Sequence, residues 1–276
     1  MSYFSNQKVF ITGGSSGIGK ALAVELAMDG AYVTLCSRDM AKLEQAKADI
    51  ISATSCDINH ISILSLDVTQ ENTVNQTISE YMTEFGTPDL LINSAGLSHP
   101  GEFLDLGMDK FHWLMDTNFF GTVHIIKAFL PDMIKRGSGH IVNISSAAGF
   151  LGVYGYTAYG ATKYAVRGFS DALRAELLLK NITMSLVFPP DTDTPQLEYE
   201  AQFKPPITKI LAGTAGVLSA QIVAKKILNG VRKRKYIIVP GTENAFLYHL
   251  SNFMGSKVYW IMDPMVRDAA RKAKSK

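Results

Sequence analysis

Short apolar runs alternate with longer amphipathic ones along almost the whole chain, and this alternation limits the possible folds more than any other feature. KVFIT is followed by KALAVELAMDG, AYVTLC by MAKLEQAKADIISA, ISILSL by ENTVNQTISEYMTEFG, and DLLINSAG by FHWLMDTNFFGTVHIIKAFLPDMIK. HIVNISS then precedes the helix-like TAYGATKYAVRGFSDALRAELLLK, TMSLVFPP follows, and AQIVAKKILNG leads into YIIVPG. Short apolar runs suit strands buried on both faces, and the longer segments suit helices with one apolar side. The βαβ order predicts an α/β fold: a doubly wound parallel sheet of about seven strands with helices on both faces. No composition break or Pro/Ser-rich linker divides the 276 residues. A single domain is therefore expected, with residues 1–242 as its α/β body and residues 243–276 as a helical extension of that body.

Composition then removes several classes of function. A formal net charge of +2 gives no basic surface of the kind that nucleic-acid binding needs, so no nucleic-acid partner is expected. The two cysteines, Cys36 and Cys56, have neither paired nor metal-like spacing, which points to a reducing, cytoplasmic setting. Cys36 is predicted to be a buried strand residue. None of the six histidines joins a metal-ligand constellation, so no metal site is expected; His112 and His124 are predicted to pack on a helix. No segment offers the roughly 18 uninterrupted apolar residues of a membrane span, which leaves a soluble or surface-bound protein.

TGGSSGIG, residues 12–19, lies between the first strand and the first helix, where a parallel sheet opens its ligand crevice. Gly13 permits a tight turn, while Gly17 and Gly19 permit close approach of a pyrophosphate to the helix N-terminus and its unpaired N–H groups. A glycine-rich turn that binds nothing has the same local pattern, so other residues have to decide. The Gly-x-x-x-Gly-x-Gly spacing, YGATK with Tyr159 and Lys163, NISSAAG, DTNFFG and NSAG stand in the order of the short-chain dehydrogenase/reductase family, which the chain resembles over about residues 7–240. Four residues apart on a helix, Tyr159 and Lys163 share a face. The resemblance implies a catalytic set of Asn118, Ser146, Tyr159 and Lys163, with Ser146 chosen over Ser145 because it lies thirteen residues before the tyrosine. It also implies cofactor contacts from Gly13, Ser15, Ser16, Gly17, Ile18, Gly19, Asp67, Val68, Asn93, Ala95, Gly96, Tyr159, Lys163, Pro189, Thr192 and Thr194.

Ketone reduction places negative charge on an oxygen that must be protonated or held. A phenol of pKa about 10 is a sluggish acid at neutral pH, and an adjacent ammonium is expected to lower that value, which makes Lys163 the tuner of Tyr159. In the family, the lysine also contacts the nicotinamide ribose, the serine holds the substrate oxygen and the asparagine positions a water. Cofactor choice turns on the end of the second strand, where an acidic residue would hold a ribose 2′-hydroxyl. Ser37 occupies that position, and Ser37 with Arg38 suits a 2′-phosphate instead, so NADPH is expected. Asp39 reads as a cap of the following helix.

PPDTDTP, residues 189–195, stands where the family has Pro-Gly, and resembles the 3-ketodihydrosphingosine reductases within it. That resemblance implies a long-chain keto-amine substrate; an aspartate of this run could face its ammonium, though Asp and Thr between prolines also make ordinary turns and caps. Another hydrophobic ketone, such as a 3-oxoacyl thioester or a steroid, would use the same catalytic set, and a dinucleotide-sensing protein would use the glycine turn alone. The tail AFLYHLSNFMGSKVYWIMDPMVRDAARKAKSK joins aromatic residues to a basic end. It reads either as an anchor on an anionic bilayer or as a helix pair that closes the pocket or an oligomer interface. A homo-oligomer is expected, cytoplasmic or peripheral on the cytoplasmic face of a membrane.

Overall fold

A computed structural model describes residues 2–213 and 216–275. Its main sheet contains β1 (Lys8–Thr12), β2 (Tyr32–Ser37), β3 (Ile61–Ser65), β4 (Leu90–Asn93), β5 (Gly139–Ile144) and β6 (Ile182–Val187). A second, two-stranded sheet pairs β7 (Thr192–Asp193) with β8 (Leu218–Ser219), and β9 (Ile237–Ile238) completes the main sheet. The seven strands of the main sheet run in the order β3-β2-β1-β4-β5-β6-β9, every neighbouring pair parallel. These are the seven strands predicted from the apolar runs. The β7–β8 pair was not, because two residues leave no periodicity to read.

The helices are α1 (Gly17–Met28), α2 (Met40–Thr54), α3 (Glu71–Phe85), α4 (Met108–Met115), α5 (Gly121–Arg136) and α6 (Thr157–Leu177). They continue with α7 (Pro195–Phe203), α8 (Pro206–Ala212), α9 (Ala220–Arg232), α10 (Thr242–Met254) and α11 (Tyr259–Lys274). Alternate strand residues send side chains to opposite faces of the sheet. Val9, Ile11, Leu35 and Ile92 meet Leu22 and Leu26 of α1, Leu43 and Ile50 of α2, and Val223 and Ile227 of α9. Phe10, Cys36, Leu91 and Ile141 meet Val74 and Ile78 of α3, Ile125 and Phe129 of α5, and Leu173 and Leu177 of α6. Cys36 is fully buried, as its strand position predicts. Burying each large side chain contributes about 1.5–3 kcal/mol, so these two layers are the principal stabilisers of the sheet.

Three local features position the site. β1 lies between β2 and β4, whose connections leave in opposite directions, so a crevice opens at the C-terminal ends of β1 and β4. The side chain of Asp39 accepts from the N–H of Lys42 and so caps α2. The predicted single helix over residues 111–135 is broken: α4 passes into a π-helical turn, Asp116–Phe120, before α5 begins. His112 sits on the exposed side of α4, against the expectation that it packs; His124 Nδ1 is 2.9 Å from the carbonyl oxygen of Val68.

The tail packs on the body. Tyr248 of α10 stacks on Phe188 with centroids 5.4 Å apart and meets Phe150 edge-on at 5.1 Å, while Val258 is buried in the same cluster. The outer side of these helices nevertheless exposes Phe246, Phe253, Trp260 and Ile261. Lys276, the end of the basic run, lies outside the described residues.

Candidate active site

The glycine turn is built by close approach rather than by sequence pattern alone. Gly13 has φ +67°, and a Cβ there would lie 2.7 Å from the carbonyl oxygen of Ser94. Thr12 Oγ1 accepts from the N–H groups of Ser94 and Ala95, each at 3.1 Å, which locks the loop after β1 to the loop after β4. A Cβ on Gly19 would lie 2.2 Å from the Gly13 oxygen, so this glycine closes the turn on itself before it serves any ligand. Ser16 precedes α1 without a side-chain capping bond. The first-turn N–H groups of α1 are thus presented to the cavity that Gly13, Ser16, Gly17, Ile18 and Gly19 line.

That cavity has a volume of about 670 Å³ and also reaches Gly96, Ser146, Tyr159, Lys163, Pro189, Thr192 and Thr194. Tyr159 and Lys163 rise from one face of α6, with Lys163 Nζ 5.6 Å from the centroid of the Tyr159 ring. Ser145 Oγ is committed to the carbonyl oxygen of Lys163 at 3.0 Å. Ser146 instead shares a hydrogen bond with the Tyr159 hydroxyl and accepts from the N–H of Ala148. The structure therefore sorts the two serines as the spacing does.

The electrostatics differ from the sequence expectation. Burial pushes the Tyr159 hydroxyl well above the usual phenol range, and the Glu200 carboxylate pushes it further, against hydrogen bonds with Ser146 and Gln196. Lys163 does not bring it down: its ammonium donates to the carbonyl oxygen of Ile144 at 3.1 Å, and burial lowers its own pKa to about 8. The sequence reading omitted desolvation, which is the largest cause at both groups. The result is a phenol that stays protonated at neutral pH.

Asn118 is brought beside this group but not into the cavity wall. Its Oδ1 accepts from the N–H of Leu97 at 2.7 Å, while Nδ2 donates to the Leu97 oxygen and to Thr162 Oγ1, each at 2.9 Å. The side chain thus clamps the loop after β4 to α6. Thr194 caps α7, accepting from the N–H of Leu197, and its methyl lies against Gly17; Thr192 Oγ1 donates to the Pro190 oxygen at 2.8 Å.

The outer end of the crevice fits a dinucleotide with a 2′-phosphate. Ser37 Oγ, at the end of β2, is a buried hydroxyl without a hydrogen-bond partner. The half-exposed guanidinium of Arg38 lies beyond it, 4.0 Å from Asp67 Oδ2. Asp67 Oδ1 accepts from the N–H and the hydroxyl of Thr69, which fixes the carboxylate in place. Asp39 is spent on its helix cap and leaves no acid at the Ser37 position. Ser15, Ser37, Arg38, Asp67, Val68, Asn93 and Ala95 stand outside the cavity wall; Val68 is packed against Gly121, and Asn93 Nδ2 donates to Asn143 Oδ1 at 2.9 Å.

The sequence missed a polar group on α7. Glu200 Oε2 accepts from the Tyr156 hydroxyl at 2.6 Å and Oε1 accepts from Gln196 Nε2 at 3.1 Å. Lys204 Nζ lies 3.8 Å from Glu200 and 3.5 Å from Asp191. Its only signal in the sequence is the Gln196, Glu200, Lys204 spacing, which equally describes a solvated helix face.

A family profile described as short chain dehydrogenase matches residues 7–204, and the chain belongs to that family. Beyond the family, the chain is 38% identical to a 3-ketodihydrosphingosine reductase of Mus musculus over 88% of this chain and 74% of that protein. It is 39% identical to a 3-dehydrosphinganine reductase of Danio rerio over 80% of this chain and 67% of that one. Among solved structures, ElxO with NADP bound superposes with a TM-score of 0.75 at 30% identity, covering 85% of this chain and 97% of that one.

Proposed function

We propose that the chain is an NADPH-dependent reductase that converts 3-ketodihydrosphingosine to dihydrosphingosine. The observation that carries the reaction class is the buried Tyr159 hydroxyl, bonded to Ser146 inside a cavity continuous with the glycine turn. The substrate rests on the likeness to the mouse and zebrafish reductases, and is supported by the apolar side chains of Leu97, Trp113 and Val153 in the cavity wall. A substrate panel with NADPH tests it: turnover of 3-ketodihydrosphingosine should exceed that of 3-oxoacyl thioesters and steroid ketones. A preference for a thioester or a steroid would overturn the substrate while leaving the reductase class.

Glycines 13, 17 and 19 with the α1 N-terminus would hold the pyrophosphate, Ser37 and Arg38 the 2′-phosphate, and Lys163 the nicotinamide ribose. Asp67 and Val68 would hold the adenine, the loop of Asn93, Ala95 and Gly96 the adjoining ribose, and Pro189, Thr192 and Thr194 the nicotinamide. NADPH bound there supplies the hydride. Ser146 Oγ donates a hydrogen bond to the ketone oxygen and polarises it. Tyr159 gives its proton to that oxygen as charge develops on it. Asn118 keeps the loop after β4 in register with α6, and its clamp leaves Gly96 as the open floor between Asn118 Oδ1 and Lys163 Nζ, each 3.4 Å from where a Cβ would stand.

Replacing Arg38 with alanine tests the 2′-phosphate contact. A charge-assisted contact contributes about 1.5–3 kcal/mol, so the preference for NADPH over NADH should fall by roughly one to two orders of magnitude. Equal losses for both cofactors would reject the assignment.

The same reading includes a homo-oligomer, and peripheral attachment to a membrane through α10 and α11. Among the described residues no helix is long and apolar enough to cross a membrane. Phe253 and Trp260 are 91% and 74% exposed, and Arg267, Arg271 and Lys272 follow on α11. Serine at both aromatic positions should lower partitioning onto anionic vesicles by about tenfold while leaving the fold intact, and high salt should weaken only the part due to the basic residues. Partitioning equal to that of the parent protein would assign the tail to packing alone.

A further inference from the structure

The polar group at α7 has no place in the proton donation just described, yet Asp191, Gln196 and Glu200 line the same cavity. Glu200 is 6% exposed and Asp191 is half-buried, and the two carboxylates share one ammonium, that of Lys204, whose side chain is 8% exposed. Two acids share one base, so the pair lacks a second cation of its own. The other groups nearby do not pair with it: Lys163, charged at neutral pH, donates to the Ile144 oxygen and to neither carboxylate, and burial holds His99, bonded to Tyr199, below the usual imidazole range. Asp193 and Glu198, the remaining acids of this segment, are exposed.

Asp191, the more open of the two, can be reached by a cation in the cavity, which would complete the shared pair. A second feature of the wall also awaits a ligand. Ser98, 2% exposed, lines the cavity with a buried hydroxyl that has no hydrogen-bond partner. The carboxylates lie close enough to Tyr159 for their field to reach its hydroxyl. A cation attracted to them would therefore stand near the atom that receives the proton, as an amine on the carbon next to a ketone does.

We propose that Asp191 and Glu200, which line the cavity and share the Lys204 ammonium, form the receptor for an ammonium group carried beside the reacting carbonyl, with Ser98 as a further polar contact for the same end of the substrate. This rests on the keto-amine reading of the function and names the part of the protein that would recognise the amine. The apolar side chains of Leu97, Trp113 and Val153 would recognise the alkyl chain without distinguishing an amine from a hydrogen. The charge pair supplies that distinction, and it also rejects the carboxylate and phosphate groups of other chain-bearing ketones.

The test compares 3-ketodihydrosphingosine with the 1-hydroxy-3-ketone of equal chain length that has hydrogen in place of the amine, a change that adds no bulk. In the parent protein kcat/KM should favour the amine by at least about tenfold, mainly through KM. In Glu200→Gln, which keeps an acceptor for Tyr156, that ratio should fall about tenfold. Asp191→Asn should lower the same ratio. Proportional losses on both substrates would overturn the proposal, because they would mean that the pair only supports the fold of the pocket. A parent protein that reduces both ketones equally well would also overturn it, with the reductase function intact. Failure to reduce the keto-amine at all, with another ketone accepted, would instead remove the substrate reading on which the proposal rests.

Discussion

Replacing Tyr159 with phenylalanine should lower turnover by roughly three orders of magnitude, within the range contributed by a positioned general acid. The ring, its packing against Tyr156 and the shape of the cavity are kept, and only the hydroxyl shared with Ser146 and Gln196 is lost. Binding of NADPH, followed by its fluorescence, should therefore change little. Retained turnover would remove Tyr159 as the donor, and loss of NADPH binding would show that the substitution had damaged the site. The raised pKa adds a sign to the experiment. A phenol held above its usual range stays protonated through neutral and mildly alkaline pH, so ketone reduction by the parent protein should not decline through loss of the Tyr159 proton near neutrality.

Lys163→Met should separate activity from stability. Lysine at this position has its pKa lowered from 10.5 to about 8, so keeping it charged below that pH costs the folded protein about 3 kcal/mol. Methionine removes the cost, although it leaves the Ile144 oxygen without its donor, a loss of about 1–3 kcal/mol. The variant should consequently melt at or above the parent temperature at pH 7 while turnover falls by about a hundredfold and NADPH affinity by about tenfold. For a lysine with a depressed pKa, the penalty is fully present below pH 8 and is relieved as pH rises from 8 towards 10.5. The stability advantage of the variant should shrink over that interval. A variant that loses stability and activity together, with no such pH dependence, would show that the ammonium is structural.

The sheet was legible in the sequence because its central strands are buried on both faces, and KVFIT or DLLINSAG leaves no polar alternation that could suggest anything else. Tyr159, Lys163 and Ser146 were legible because a helix face and a fixed spacing bring them together. What the sequence concealed depends on burial. Gln196, Glu200 and Lys204 have the spacing of an exposed ion-pair ladder, and only the contact of α7 with Tyr156 makes them an interior group. The same omission reversed the expected effect at Tyr159: an ammonium four residues away is visible in YGATK, while the desolvation of both side chains is not. The π-helical turn that aims the Asn118 amide at Leu97 and Thr162 also leaves no periodic trace, since one extra residue in a turn does not disturb an apolar pattern already mixed by Asp116 and Thr117.

Transfer of deuterium from NADPH labelled at the nicotinamide C4 to 3-ketodihydrosphingosine tests the central claim most directly. With the parent protein, one of the two C4-labelled forms should yield dihydrosphingosine carrying deuterium at the former carbonyl carbon, and Tyr159→Phe should abolish nearly all of this product. Absence of labelled dihydrosphingosine with either form, from protein that is folded and binds NADPH, would contradict the account.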